Sequence, residues 1–115
     1  MRTSSSGSTR KSNYSVKHVA TIANGTDVRV RLFTLAPAEI IPWHYHSKSV
    51  DHYFVLEGML TVRTRNPEQL SVVKVGESHR LTPHTTHQIS NQSARDCRFL
   101  LVQGVGALDW VKAED

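Results

Sequence analysis

The stretch Pro42-Trp43-His44-Tyr45-His46-Ser47-Lys48-Ser49-Val50-Asp51 decides how this chain reads. In an extended strand, side chains two apart share a face, so His44 and His46 project together while Tyr45 points the other way. Asp51 opens a second apolar run, Tyr53-Phe54-Val55-Leu56. A turn between antiparallel strands would set its carboxylate opposite the two imidazoles. Two imidazoles and a carboxylate converging from adjacent strands make a facial set of metal ligands with other positions left open. About thirty-five residues on, Pro83-His84-Thr85-Thr86-His87 holds a further histidine that could complete the set.

Outward from this stretch the chain reads as strand after strand. Val28 to Leu35 is rich in β-formers and alternates at its start, until Pro37 breaks it. Ile40 to His46 and Asp51 to Leu56 follow. Gly58 ends the latter, and Leu60 to Arg65 reads as its antiparallel neighbour. Asn66-Pro67-Glu68 is a turn, Leu70 to Val75 a strand and Gly76-Glu77 another turn. Ser78 to Leu81, His87 to Ser90 and the apolar Arg98 to Gln103 continue the series, and Leu108 to Val111 adds an edge strand or a turn of helix. Upstream, Val16, Val19, Ala20 and Ile22 suggest a first strand that stops at Asn24-Gly25. Roughly nine or ten short strands, with turn signals every 8–12 residues or so, are the pattern of a β-sandwich or barrel.

The 115 residues suffice for one domain with a modest core. No apolar run approaches the ~20 residues of a membrane span, and the N-terminus lacks the apolar region of a secretory signal. The single cysteine, Cys97, leaves no internal disulfide. It reads as a packing residue in a reducing, cytoplasmic setting. The net charge of +4 comes from Arg2, Arg10, Lys11 and Lys17, because residues 1–17 contain no acid and the remaining ten basic residues balance ten acidic ones. Residues 1–13 therefore read as a disordered, basic, Ser-rich leader, native or appended, and residues 14–115 as one domain. With no basic footprint on the body, neither nucleic acid nor a membrane is an expected partner. Five of the seven histidines lie between positions 44 and 84, with His87 close behind.

The run Pro42-Trp43-His44-Tyr45-His46, four residues, Asp51, six residues, Gly58 resembles the first motif of the cupins. Gly76, five residues, Thr82-Pro83-His84-Thr85-Thr86-His87, three residues, Asn91 resembles the second. The seventeen intervening residues match the short gap of small bacterial cupins of the RmlC-like type. The resemblance covers roughly residues 26–104 and implies an all-β fold, the double-stranded β-helix or jelly-roll barrel. It also implies a divalent metal inside the barrel, with the ligands falling on His44, His46, Asp51 and His87, and a homodimer. Three departures stand out. Asp51 replaces the usual glutamate and is one methylene shorter. Ala38 stands where the first motif begins with glycine, and His84 where the second has glycine.

Mixed imidazole and carboxylate ligation suits iron, manganese, nickel or zinc. The expected function is metal-dependent chemistry on a small organic molecule, either dioxygenase-like carbon–carbon cleavage or an isomerase or lyase reaction. The alternative is a barrel that binds a small molecule or a metal without turnover. His84 is the candidate for proton transfer, since an imidazole titrates near neutral pH; a loop histidine facing water is the bland alternative. Trp43, Tyr45, Tyr53 and Phe54 read as packing residues, with Tyr53 on the Asp51 face. Arg29 and Arg31 read as a solvated outer face, although they would bind an anion if that face turned inward. Trp110 and the apolar C-terminal run are offered as a dimer contact.

Overall fold

The strand near the C-terminus sets the pattern for the barrel. Cys97-Arg98-Phe99-Leu100-Leu101-Val102-Gln103 alternates strictly between buried and half-buried positions. Cys97, Phe99, Leu101 and Gln103 thus face one side, as a period of two requires. A computed structural model describes residues 15–114, and in it ten strands and no helix are found among those residues. They are β1 (His18–Asn24), β2 (Val28–Leu35), β3 (Ile40–Tyr45), β4 (Val50–Glu57), β5 (Met59–Thr64), β6 (Gln69–Lys74), β7 (Ser78–Leu81), β8 (His87–Ser90), β9 (Cys97–Gly104) and β10 (Val111–Lys112). The leader read at 1–13 lies outside the described residues.

The strands form two five-stranded sheets, ordered β1-β2-β9-β4-β7 and β10-β3-β8-β5-β6, with every pairing antiparallel. Two such sheets closed face to face make the all-β jelly-roll barrel that the strand count and the motifs implied. Most element boundaries fall within a residue or two of the sequence reading, although the last strand is Val111–Lys112 where Leu108 to Val111 was expected, and two pairings differ from it. The β3 and β4 strands belong to opposite sheets, so the turn between them is a crossover and not a hairpin. Likewise β5 does not pair with β4; its neighbours are β6 and β8. Alternation within a strand says which side chains share a face, but not which strand lies alongside.

The core fills one end of the barrel. Phe33, Leu35, Val55, Cys97 and Phe99 from the first sheet meet Ile41, Leu60, Val62 and Ile89 from the second, all buried. The Phe33 and Phe99 rings stack with centroids 5.2 Å apart, and Tyr53 tilts against Phe99. Cys97 is fully buried, and burial, with the Glu57 charge adding to it, pushes its thiol up to about 11. It is therefore a packing residue rather than a nucleophile. Trp43 is buried on the outer face of β3, with the Arg65 guanidinium 4.0 Å above its ring. Phe54 instead stands 40% exposed on the outside of β4, so it is not a core residue.

The four positions at which the two cupin motifs call for glycine share a backbone state. Gly58 and Gly76 have φ of +80° and +85°, and a Cβ at Gly58 would meet the Asp96 carbonyl oxygen at 2.5 Å. Ala38 and His84, which occupy the other two positions, have φ of +73° and +64°. The left-handed conformation is a property of the fold, and these two residues adopt it against their preference. Ala38→Gly should therefore stabilise the protein by about 0.5–1 kcal/mol, strain relief outweighing the added freedom of the unfolded chain. Chemical denaturation measures this; a loss of stability, as for an ordinary Ala→Gly change, would contradict it.

Candidate metal centre

The interior changes character from one end of the barrel to the other. Along β9 the inward side chains run Phe99, Leu101, Gln103; along β4, Val55, Tyr53, Asp51; along β8, Ile89, His87. Register aligns these changes, since Gln103 pairs with Asp51 and His87 with His44. The polar ends meet across the barrel. Asp51 reaches the histidines from the opposite sheet, which corrects the expectation of adjacent paired strands.

His44, His46 and His87 are all buried, and one ring nitrogen from each lies within 4.8 Å of the other two. The other nitrogen of each ring is tied to the backbone. His44 Nδ1 donates to the Pro42 carbonyl at 2.7 Å, His87 Nδ1 to the Thr85 carbonyl at 2.7 Å, and His46 Nδ1 to the Asp109 carbonyl. A carbonyl accepts only, so each Nδ1 must carry the proton. The Nε2 atoms then face one another. His87 Nε2 is buried with no hydrogen-bond partner, and its nearest Asp51 oxygen is 3.5 Å away. Three crowded imidazole lone pairs, each on a ring oriented by a backbone acceptor, fit a metal ion that prefers nitrogen donors.

Electrostatics agrees with that donor set. Burial, helped by the neighbouring His87, pushes His44 down to about 2, so its ring is neutral. Burial also opposes charge on His46, but the hydrogen bond and charge of Asp51 outweigh it and hold this imidazole above its usual range. Burial would raise Asp51, yet His46 and His87 keep its carboxyl well below the usual carboxylate range. Asp51 is 1% exposed, and its anion survives because three groups meet it. Tyr53 donates its O–H to Oδ2 at 2.8 Å, Gln103 Nε2 donates to Oδ1 at 3.1 Å, and His46 Nε2 lies 3.1 Å from Oδ2.

The sequence-predicted residues thus fall into two groups. His44, His46 and His87 come together, with Asp51 against His46 and His87 and Tyr53 on the same wall. His84 does not join them. Its ring is exposed and stacks on Tyr45, which points away from the cluster on the outer face of β3. Asn91, the last residue of the second motif, is fully buried, and its side-chain amide ties Leu35 to Arg95, a structural role.

Two residues were missed. Gln103 is a polar residue on the inward parity of an otherwise apolar strand, which was a readable signal. Asp109 accepts His46 Nδ1 through its carbonyl, and through its carboxylate it accepts the Ser47 backbone N–H at 2.9 Å and the Ser47 hydroxyl. Nothing local in the sequence links positions 46 and 109. Trp110 stacks on His44 with ring centroids 4.5 Å apart, so one face of its ring packs within the chain.

A jelly-roll barrel with three convergent histidines at one end defines a class of protein that the comparisons then specify. The "Cupin domain" family model matches residues 31–103, and the chain belongs to that family. Among solved structures, it is similar to a double-stranded β-helix protein from Klebsiella pneumoniae. The TM-score is 0.75 at 20% identity, covering 85% of this chain and 84% of that one. An oxalate oxidase in complex with glycolate gives 0.71 at 18% identity, with 83% of this chain and 54% of that one covered. The DMSP lyase DddQ from Ruegeria pomeroyi gives 0.70 at 13% identity, with 83% and 50% covered. The chain thus spans about half the length of these two enzymes, and at such identities the likeness is one of fold. No functionally curated protein matches the chain. Among the described residues, no helix is long and apolar enough to cross a membrane.

Tyr53→Phe removes one donor from a buried carboxylate while keeping the ring against Phe99. It should cost about 2 kcal/mol of folding stability in the metal-free protein. Denaturant unfolding checks this, and a variant as stable as the parent would show that the Tyr53 hydroxyl does not support Asp51.

Proposed function

We propose that this protein binds a divalent transition metal through His44, His46 and His87, with Asp51 beside them, and acts on a small organic molecule held at the polar end of the barrel. The observation that carries the reading is the set of three Nε2 atoms turned inward by three backbone carbonyls. Such a metal supplies Lewis acidity that polarises a substrate oxygen. The chain's own residues orient the reactants and manage charge. Asp51 holds a negative charge fixed by Tyr53 and Gln103, and the apolar end of the barrel excludes water. Dioxygenase-like cleavage and isomerase or lyase chemistry remain the two concrete forms. An oxidase and a lyase among the structural neighbours support an enzyme at the level of fold. His84 is not part of this proposal, because its ring lies on Tyr45.

Elemental analysis of the protein purified without added metal, beside a His46→Ala/His87→Ala double variant, tests the reading. The parent should carry close to one iron, manganese, nickel or zinc per chain and the variant almost none. A parent that holds no metal and takes none up on reconstitution would sink the metal reading. A metal-loaded protein with no turnover of any offered substrate would leave a binding barrel.

A further inference from the structure

Arg29 and Arg31 lie on the inner face of β2, in the same alternation as buried Phe33 and Leu35. The sequence reading preferred a solvated outer face for them, and the structure corrects it. Register explains the placement. Arg29 pairs across β9 with Gln103, and Gln103 pairs on its other side with Asp51, so the three side chains form one row across the inner face. Arg31 stands one step further in, opposite Leu101, with its guanidinium 4.9 Å from the Phe33 ring centroid.

Both guanidiniums donate through Nη2 to the same acceptor, Gln103 Oε1, at 3.0 Å from Arg29 and 2.7 Å from Arg31. The other end of that amide donates to Asp51 Oδ1 and lies 3.4 Å from His46 Nε2. A single carboxamide therefore separates two cations from the histidine cluster. Gln103 is 2% exposed, whereas both arginines are only half-buried. An anion placed where two guanidiniums converge is attracted to both of them. The planar guanidinium fork matches the two oxygens of a carboxylate, a pairing stronger than that with a neutral acceptor.

We infer that Arg29 and Arg31 form a carboxylate-binding subsite beside the histidine cluster. The ligand is then a small organic acid whose carboxylate rests on the two guanidiniums while a second oxygen function reaches the histidines. The second half of this statement rests on the metal reading above; the first half does not. Gln103 positions both partners, presenting its oxygen to the arginines and its N–H to Asp51.

Calorimetric titration of the full chain with succinate, its uncharged diamide succinamide and inorganic phosphate tests the subsite, in zinc-loaded and metal-free protein. Succinate should bind the parent about tenfold or more tighter than succinamide, as charge-assisted pairing requires. Arg29→Gln and Arg31→Gln should each lose about tenfold in succinate affinity, with Arg31→Lys between them and the parent, because lysine keeps the charge and loses the fork. The exposed Arg80→Gln should bind as the parent does. Zinc content and thermal midpoint should hold across the set; if Arg29→Gln fails to fold, the Arg31 variants decide. Equal affinity for succinate and succinamide, unchanged affinity in the arginine variants, or tighter binding of phosphate than of succinate would overturn the inference. A parent that takes up no zinc breaks the metal reading alone, and the metal-free titrations still decide the subsite.

Discussion

Everything at the functional end of this barrel depends on how three imidazole rings are held. Each has its Nδ1 committed to a main-chain carbonyl, from Pro42, Thr85 or Asp109. Two of these carbonyls lie two residues before the histidine they hold, so the strand itself fixes the ring. The third comes from sixty-three residues away and joins the C-terminal segment to the site. With Nδ1 occupied, the only place for each remaining lone pair is the barrel interior. A cluster of buried, unprotonated nitrogens is costly unless something positive meets it. A metal ion can do so. The Asp51 carboxylate, which raises the affinity of His46 for a proton, would attract a metal cation in the same way.

The fold makes this arrangement possible by dividing its interior. The apolar end, built around the Phe33–Phe99 stack, supplies the burial that holds the sheets together. The polar end then carries Asp51, Gln103 and the histidines at low exposure without unfolding the barrel. Side chains from both sheets change from apolar to polar at matching registers, and this alignment lets a carboxylate from β4 face imidazoles from β3 and β8. The C-terminal segment closes the arrangement. Val111 and Lys112 pair with Tyr45 and His44, Trp110 covers the His44 ring, and Asp109 secures the turn after His46.

Much of this was legible in the sequence, for identifiable reasons. Alternation and turn residues marked the strands, and the spacing of His44, His46, Asp51 and His87 marked the cluster, because both are local or follow a known motif. Strand partners were not legible: placing β3 and β4 in opposite sheets depends on long-range pairing that no short window contains. The inward turn of Arg29 and Arg31 was ambiguous for a related reason. Charged residues on an alternating strand look solvated until the register shows them in line with Phe33 and Leu35. His84 was singled out by its closeness to His87 in sequence, but its left-handed backbone and its contact with Tyr45 carry the ring to the other side of the sheet. Asp109 had no local signature, because its contribution runs partly through a backbone carbonyl.

Long-range proton–nitrogen NMR of the histidine side chains, in metal-free protein and again with stoichiometric zinc, tests the central claim most directly. The account predicts that His44 and His87 carry their proton on Nδ1 in the metal-free state, and that zinc shifts the Nε2 resonances of His44, His46 and His87 while leaving His18, His52 and His84 in place. Protons found on Nε2 of His44 or His87, or zinc that perturbs the outer histidines instead, would contradict it.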